Sequence, residues 1–238
     1  MLNENGDLHR APTSLLLLNG GVGSRLKLGI PKQFHEVLGH PLMAYSIIAA
    51  TKIDAITEII INAPSGYEAR TEEVLNRYAP NKTFKLVKGG ATRQMSTRIL
   101  AQSASNDSVI LHETARPLVT SGMFQALLEH QSENAGYFDD IPFSMCDLDE
   151  KTRTIRANVP RDRVFNIQLP QKFDRNTLVS AHDAALDANK TFTEDAVMVH
   201  EMANTPVHAL DGDPRNIKVT TPSDVVIVSQ LMNEEVSI

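Results

Sequence analysis

The chain has 238 residues, 42% hydrophobic and 22% charged, and its 23 Lys+Arg against 29 Asp+Glu leave a net charge of −6. That length suits one large domain or two small ones with a sizeable core, and the acidic balance excludes a general nucleic-acid binder while leaving room for a local basic pocket. A single cysteine, Cys146, excludes an internal disulfide and a Cys-based zinc site, and the opening MLNENGDLHRAPTS lacks the basic-then-apolar pattern of a signal peptide, so a cytoplasmic protein with no membrane segment is expected.

From the N-terminus, Ser14–Leu18 is a continuous apolar run bounded by glycines, which predicts a strand buried on both faces and feeding a turn. Pro41–Lys52 predicts a helix, Glu58–Asn62 a second buried strand, and Tyr67–Tyr78 a polar helix behind it. Thr83–Val87 reads as a third strand closed by Lys88-Gly89-Gly90, Arg93–Ser103 as a helix, and Ser108–His112 as a fourth strand. Ser121–Ser132 reads as a helix capped by Ser121. The charged, weakly periodic stretch Asp147–Arg163 reads as a polar hairpin or arm, spanning residues 144–166 at its widest. Helices return at Asn176–Asn189 and Asp195–Met202, strands at Pro206–Leu210 and Asn216–Thr220, and a closing helix at Pro222–Met232.

This alternation predicts an α/β fold: a three-layer, mainly parallel, Rossmann-like sheet with a projecting β-arm. Right-handed crossovers then bring the strand C-termini and their glycine loops to one edge. No repeat or linker divides the chain, so one domain over residues 1–238 is expected.

The loop after the first strand, Asn19-Gly20-Gly21-Val22-Gly23-Ser24-Arg25, suits an anion. Glycines let main-chain N–H groups turn toward phosphate oxygens without a Cβ in the way. Arg25 adds a fork of donors, and Lys32 seven residues on adds a movable point charge. The loop matches neither the nucleoside-triphosphatase pattern, lacking Gly-Lys-Ser/Thr, nor the dinucleotide pattern, lacking the third glycine. A bland glycine turn is the competing reading.

Five motifs in order carry a stronger signal: GGVGSR-x6-KQF from Gly20; Lys88-Gly89-Gly90-Ala91-Thr92-Arg93-Gln94-Met95-Ser96; His112-Glu113-Thr114-Ala115-Arg116-Pro117; Gln168-Leu169-Pro170-Gln171-Lys172-Phe173; and Gly212-Asp213-Pro214-Arg215-Asn216-Ile217-Lys218-Val219-Thr220. In this order and spacing the chain resembles the cytidylyltransferases that act on 2-C-methyl-D-erythritol 4-phosphate and on D-ribitol 5-phosphate. The resemblance runs from Ser14 to Met232. It implies transfer of CMP from CTP to a small polyol phosphate or phosphonate, with release of pyrophosphate. It also implies Arg25, Lys32 and Lys218 as the catalytic cations, with a solvated edge lysine as the competing reading of Lys218. Asn19, Gly20, Gly21, Gly23, Ser24, Gly90, Arg93 and Ser96 are the implied nucleotide site, although Ser96 reads equally as a helix cap. Mg²⁺ is expected with the nucleotide, on Glu113 and Asp213, each of which reads alternatively as a structural ion pair.

On the acceptor side, the resemblance implies Arg116 and Arg161, the latter from the arm of a partner subunit in a homodimer. Here the chain departs from the family pattern. Glu113 replaces Asp, Met145-Cys146 falls where an Asp-Thr pair is usual, and Leu169 stands for a threonine, so lost hydroxyl partners argue for a different acceptor. The methylerythritol phosphate enzyme proper and a non-catalytic nucleotide-binding relative are the alternative readings, and a UTP- or GTP-dependent sugar-phosphate enzyme fits the later motifs less well. Histidines show no metal-ligand spacing, and Cys146 lacks the neighbours of a nucleophile.

Overall fold

A computed structural model describes residues 11–20 and 29–236. Strand β1 (Thr13–Leu18) is followed by a short 3-10 turn at Lys32–Phe34, and the two-residue strands β2 (Glu36–Val37) and β3 (His40–Pro41) pair with each other. Then come α1 (Leu42–Thr51), β4 (Ile56–Ala63), α2 (Glu68–Tyr78), β5 (Thr83–Lys88), α3 (Arg93–Ser103), β6 (Ser108–Glu113), α4 (Ser121–Glu129) and β7 (Ala135–Asp140). The arm holds β8 (Met145–Leu148) and β9 (Ile155–Val159). The chain continues through β10 (Phe165–Asp174), α5 (Arg175–Asp187), α6 (Asp195–Ala203), β11 (His208–Asp211) and α7 (Pro222–Val236).

Seven strands form one sheet in the order β11-β7-β10-β6-β1-β4-β5. Pairs β1–β4, β1–β6, β4–β5 and β7–β11 are parallel, whereas β10 runs antiparallel to both of its neighbours. Alternation along each central strand sends side chains to two opposite cores. Leu15, Leu17, Ile59, Ile61 and Ile110 face α1, α2 and α4, while Leu16, Ile60, Val109 and Leu111 face α3, α5 and α6. This is the expected three-layer architecture. No described helix is long and apolar enough to cross a membrane.

Three expectations need correction. Residues 216–220 form no strand, because their polar groups go to a turn and to the backbone of another strand: Val219 N–H donates to the Ala115 carbonyl after β6, and the Asn216 side chain donates to the Leu169 carbonyl of β10. Helix α4 is capped by Thr120, whose side chain accepts from Met123 N–H, and Ser121 is already helical. Strand β10, where only a motif was read, is a central strand. Its Pro170 lies within a register shift between Gln168 and Gln171, the kind of interruption that lets a sheet accept proline.

The N-terminal edge of the sheet is tied by one buried carboxylate. Glu58 accepts from Ser14 Oγ (2.7 Å), Ser105 N–H (2.9 Å) and Ser105 Oγ (3.0 Å), and pairs with Lys85 at 3.0 Å. Burial pushes this carboxyl up, but the donors outweigh burial and hold it below its ordinary value. Its contribution is therefore present above the unfolded pKa and lost as pH falls through the depressed folded one. Replacing Glu58 with alanine strands these donors and is expected to lower stability by about 2–4 kcal/mol. A urea midpoint within error of the parent chain, at unchanged slope, would contradict this role.

Candidate active site

The C-terminal ends of β1, β4, β5 and β6 converge, as right-handed parallel crossovers require. Asn62, near the end of β4, accepts the Asn19 N–H on its side-chain oxygen at 3.0 Å. Gln33 donates to the carbonyls of Asn19 and Gly20, both at 2.8 Å, and Thr114 donates to the Asn19 side chain at 2.9 Å. The first turn of the glycine loop is thus fixed on three sides. Gly21, Gly23, Ser24 and Arg25 lie outside the described residues.

The second glycine loop meets the same edge. Thr92 caps α3 by accepting from Met95 N–H, so Ser96 is not the cap. Ser96 Oγ instead accepts the Gly90 N–H at 3.0 Å and donates to the Thr92 carbonyl at 2.9 Å. A Cβ on Gly90 would meet the backbone carbon of Met95 at 2.8 Å, so only glycine lets the strand end close on the helix. Gly89 and Gly20 both approach the Asn62 side chain. The Asn62 side chain thus lies between the loop of Asn19 and Gly20 and the loop of Gly89, Gly90 and Ser96. Asn62 carried no sequence signal, since an asparagine ending an apolar strand resembles any turn residue.

The cations gather around Glu113, the last residue of β6. Its Oε2 pairs with Lys218 Nζ at 2.5 Å and its Oε1 with Arg116 Nε at 2.9 Å. Arg116 Nη1 also donates to the Asn216 carbonyl at 2.7 Å, and Lys32 Nζ donates to the Val219 carbonyl at 2.8 Å. Lys32, Arg116 and Lys218 thus share one stretch, residues 216–219. Burial pushes the Glu113 carboxyl up, but Lys218 and then Arg116 outweigh it and keep it below the ordinary carboxylate value. Glu113 is a permanent anion between two cations.

Magnesium finds little protein to hold it here. Both Glu113 oxygens already face cations, and Asp213 Oδ1 accepts the Arg215 N–H at 2.8 Å in its own turn. Among the described residues no three His, Cys, Asp or Glu side chains cluster as a metal site. The residues present do not fit a protein-held ion.

The expected acceptor residues separate. Leu169 is 2% exposed and packs in the core beneath α3, α5 and α6, while its carbonyl, not its side chain, takes part in the edge by accepting from Asn216. Met145 and Cys146 lie exposed on β8 of the arm, and Arg161 is exposed at its base, donating to the Pro142 carbonyl at 3.3 Å. Arg93 is anchored elsewhere, through Nη1 to the buried Asp195 at 2.6 Å. Asp195 in turn lies 3.2 Å from His182 Nε2.

Residues 14–234 match the family model described as 2-C-methyl-D-erythritol 4-phosphate cytidylyltransferase. A protein of that name from Caldanaerobacter subterraneus is 31% identical over 93% of this chain and 99% of its own length; one from Clostridium botulinum is 28% identical over 93% and 97%. The solved structure of the enzyme of that name from Thermus thermophilus has a TM-score of 0.75 at 28% identity, covering 92% of this chain and 98% of that one. A 4-diphosphocytidyl-2C-methyl-D-erythritol synthase from Anaerococcus prevotii shares the fold, with a TM-score of 0.81 at 21% identity over 94% and 99% of the two chains.

His112, beside Glu113, is fully buried against Phe124, and burial pushes its pKa down to about 3. The unfolded chain takes up this proton near pH 6.5 and the folded chain only near 3, so stability falls as pH drops through that window. Denaturation of a His112→Gln variant is expected to show a shallower loss of stability between those limits than the parent. Parallel pH profiles would rule out a buried neutral imidazole.

Proposed function

Because the chain belongs to the 2-C-methyl-D-erythritol 4-phosphate cytidylyltransferase family, we propose that it transfers CMP from CTP to an oxygen of a small hydroxylated phosphate or phosphonate, releasing pyrophosphate. The observation that carries this reading is the meeting of Lys32, Arg116 and Lys218 along residues 216–219, beside the glycine loops of β1 and β5. An acceptor oxygen attacks the α-phosphorus, the new P–O bond forms, and the α–β bridging bond breaks with its electron pair leaving on pyrophosphate. Negative charge grows on the equatorial and departing oxygens, and preorganised cations lower that barrier without a nucleophilic side chain.

The motif positions suggest the roles. Lys32 and Lys218, with Arg25 of the glycine loop, hold the triphosphate and the charge that develops on it. Glu113 keeps Lys218 and Arg116 apart and aimed, a positioning task for which a buried anion is well suited. Gly90, Ser96 and the backbone of Asn19 and Gly20 read the cytosine, because fixed main-chain donors and acceptors distinguish amino from keto edges. A divalent ion, if the reaction uses one, would be held by the nucleotide rather than by Glu113 or Asp213, whose oxygens already face other donors.

The acceptor has two candidate identities. The names of the relatives favour 2-C-methyl-D-erythritol 4-phosphate. Met145 and Cys146 on the arm, in place of a charged and a hydroxyl-bearing residue, favour a different polyol phosphate or a phosphonate, whereas the buried Leu169 side chain does not bear on the choice. A homodimer joined through the arm suits the apolar side chains the arm exposes, Phe143 (72%) and Ile155 (73%) foremost, and would bring Arg161 to the partner's acceptor. A cytoplasmic, single-domain enzyme remains the reading of the chain as a whole.

Pyrophosphate release from CTP should appear with 2-C-methyl-D-erythritol 4-phosphate, D-ribitol 5-phosphate or a hydroxyalkylphosphonate. Lys218→Ala should lower kcat by about 100- to 1,000-fold with folding intact, by analogy with lost oxyanion donors. The absence of both CTP binding and turnover with all three acceptors would refute the reading.

A further inference from the structure

Glu194, just before α6, is placed unlike a structural acid. Its neighbour Asp195 is buried and closes on Arg93 Nη1 at 2.6 Å. Glu194 faces the same guanidinium yet stops 3.8 Å short of Nη2, and Arg93 Nη2 is buried without a hydrogen-bond partner among the described residues. An acid serving only to neutralise Arg93 would close that gap, since a charge-assisted bond gains most below about 3 Å. Instead the carboxylate stands partly exposed, at 28%, as does Arg93.

A second group holds it there. Gln171 on β10 is fully buried, and its side chain lies across Gly136 of β7, where a Cβ would meet Gln171 Cγ at 2.8 Å. So pinned, Gln171 Nε2 reaches Glu194 Oε2 at a long 3.4 Å, while its Oε1 finds no partner among the described residues. Burial, with the negative charges of Asp195 and Glu113, pushes the Glu194 carboxyl up, and Arg93 offsets this only in part. Gln171 pairs with Leu111 of β6, two residues before Glu113, and this register places the cluster beside the cationic edge.

We propose that Glu194 is a specificity-determining residue whose carboxylate accepts a hydrogen bond from a hydroxyl of the acceptor, with Arg93 and Gln171 as the positioning residues that hold it open for that contact. The inference rests on the cytidylyl-transfer reading and narrows it to acceptors bearing a free hydroxyl away from the reacting phosphate. An under-satisfied carboxylate discriminates strongly, because an analogue lacking the hydroxyl leaves it unpaired. Asp195, already saturated, cannot serve.

The test compares the unaltered chain with Glu194→Ala, Glu194→Gln and Asp195→Asn. Acceptors are 2-C-methyl-D-erythritol 4-phosphate, D-ribitol 5-phosphate and their singly deoxygenated analogues. Glu194→Ala should raise acceptor KM by roughly 10- to 100-fold, leave KM for CTP within about two-fold, and abolish the preference for the hydroxylated acceptor over its analogue. Glu194→Gln, which keeps an acceptor oxygen, should recover part of that preference. Asp195→Asn should instead lower the melting temperature. If the parent turns over but Glu194→Ala retains its acceptor KM and its preference, or loses melting temperature as Asp195→Asn does, the inference falls alone. If the parent shows no CTP-dependent pyrophosphate release with any of these acceptors, the reading beneath it falls too.

Discussion

The reactive edge depends on one anion, Glu113, gripping two cations that the chain delivers from different distances. Arg116 comes from the turn immediately after β6, and Lys218 from a segment more than a hundred residues later. Such a bridge adds little net stability over an apolar replacement, because two charges leave water to make it. Breaking it is another matter, since a stranded buried carboxylate costs about 3–5 kcal/mol. The bridge therefore specifies where the late segment lies, and it fixes the Lys218 ammonium group over the end of the sheet.

The two halves of the site are built from different materials. The proposed nucleotide side is main chain: Asn62, Gln33 and Ser96 use their polar groups to orient the peptide units of Asn19, Gly20 and Gly90. The other side is side chain: Arg93, Arg116, Gln171 and Glu194 stand on α3, the β6 loop, β10 and the start of α6. A site made of peptide units tolerates little change in shape, whereas one made of side chains can alter its preference by single substitutions.

Much of the fold was legible because apolar runs and helical spacing are local. Strands β1, β4, β5 and β6 and helices α2, α3 and α5 fall within a residue or two of where periodicity puts them, and the arm was visible from its charge. Strand β10 was not, because its two glutamines and proline hide an apolar pattern whose partners lie on β6 and β7. The segment 216–220 has strand-like residues, yet its hydrogen bonds go to the turn after β6 and to β10 rather than to a ladder partner, and only tertiary structure decides that. Leu169 shows the limit of motif transfer: the motif position is at the edge, but the leucine side chain turns into the core. Asn62 and Glu194 gave no signal because their meaning lies in partners distant along the chain.

The reversed direction of β10 has a consequence for the arm. Because β7 and β10 are antiparallel neighbours, the chain leaves the sheet after Asp140 and re-enters at Phe165 on the same side, at the edge that carries Glu113. Topologically the intervening hairpin is a single excursion, closed at its root by the sheet itself. Its length and composition can be rewritten without shifting the register of any of the seven strands, so a graft from a relative is a local exchange that leaves the nucleotide half untouched.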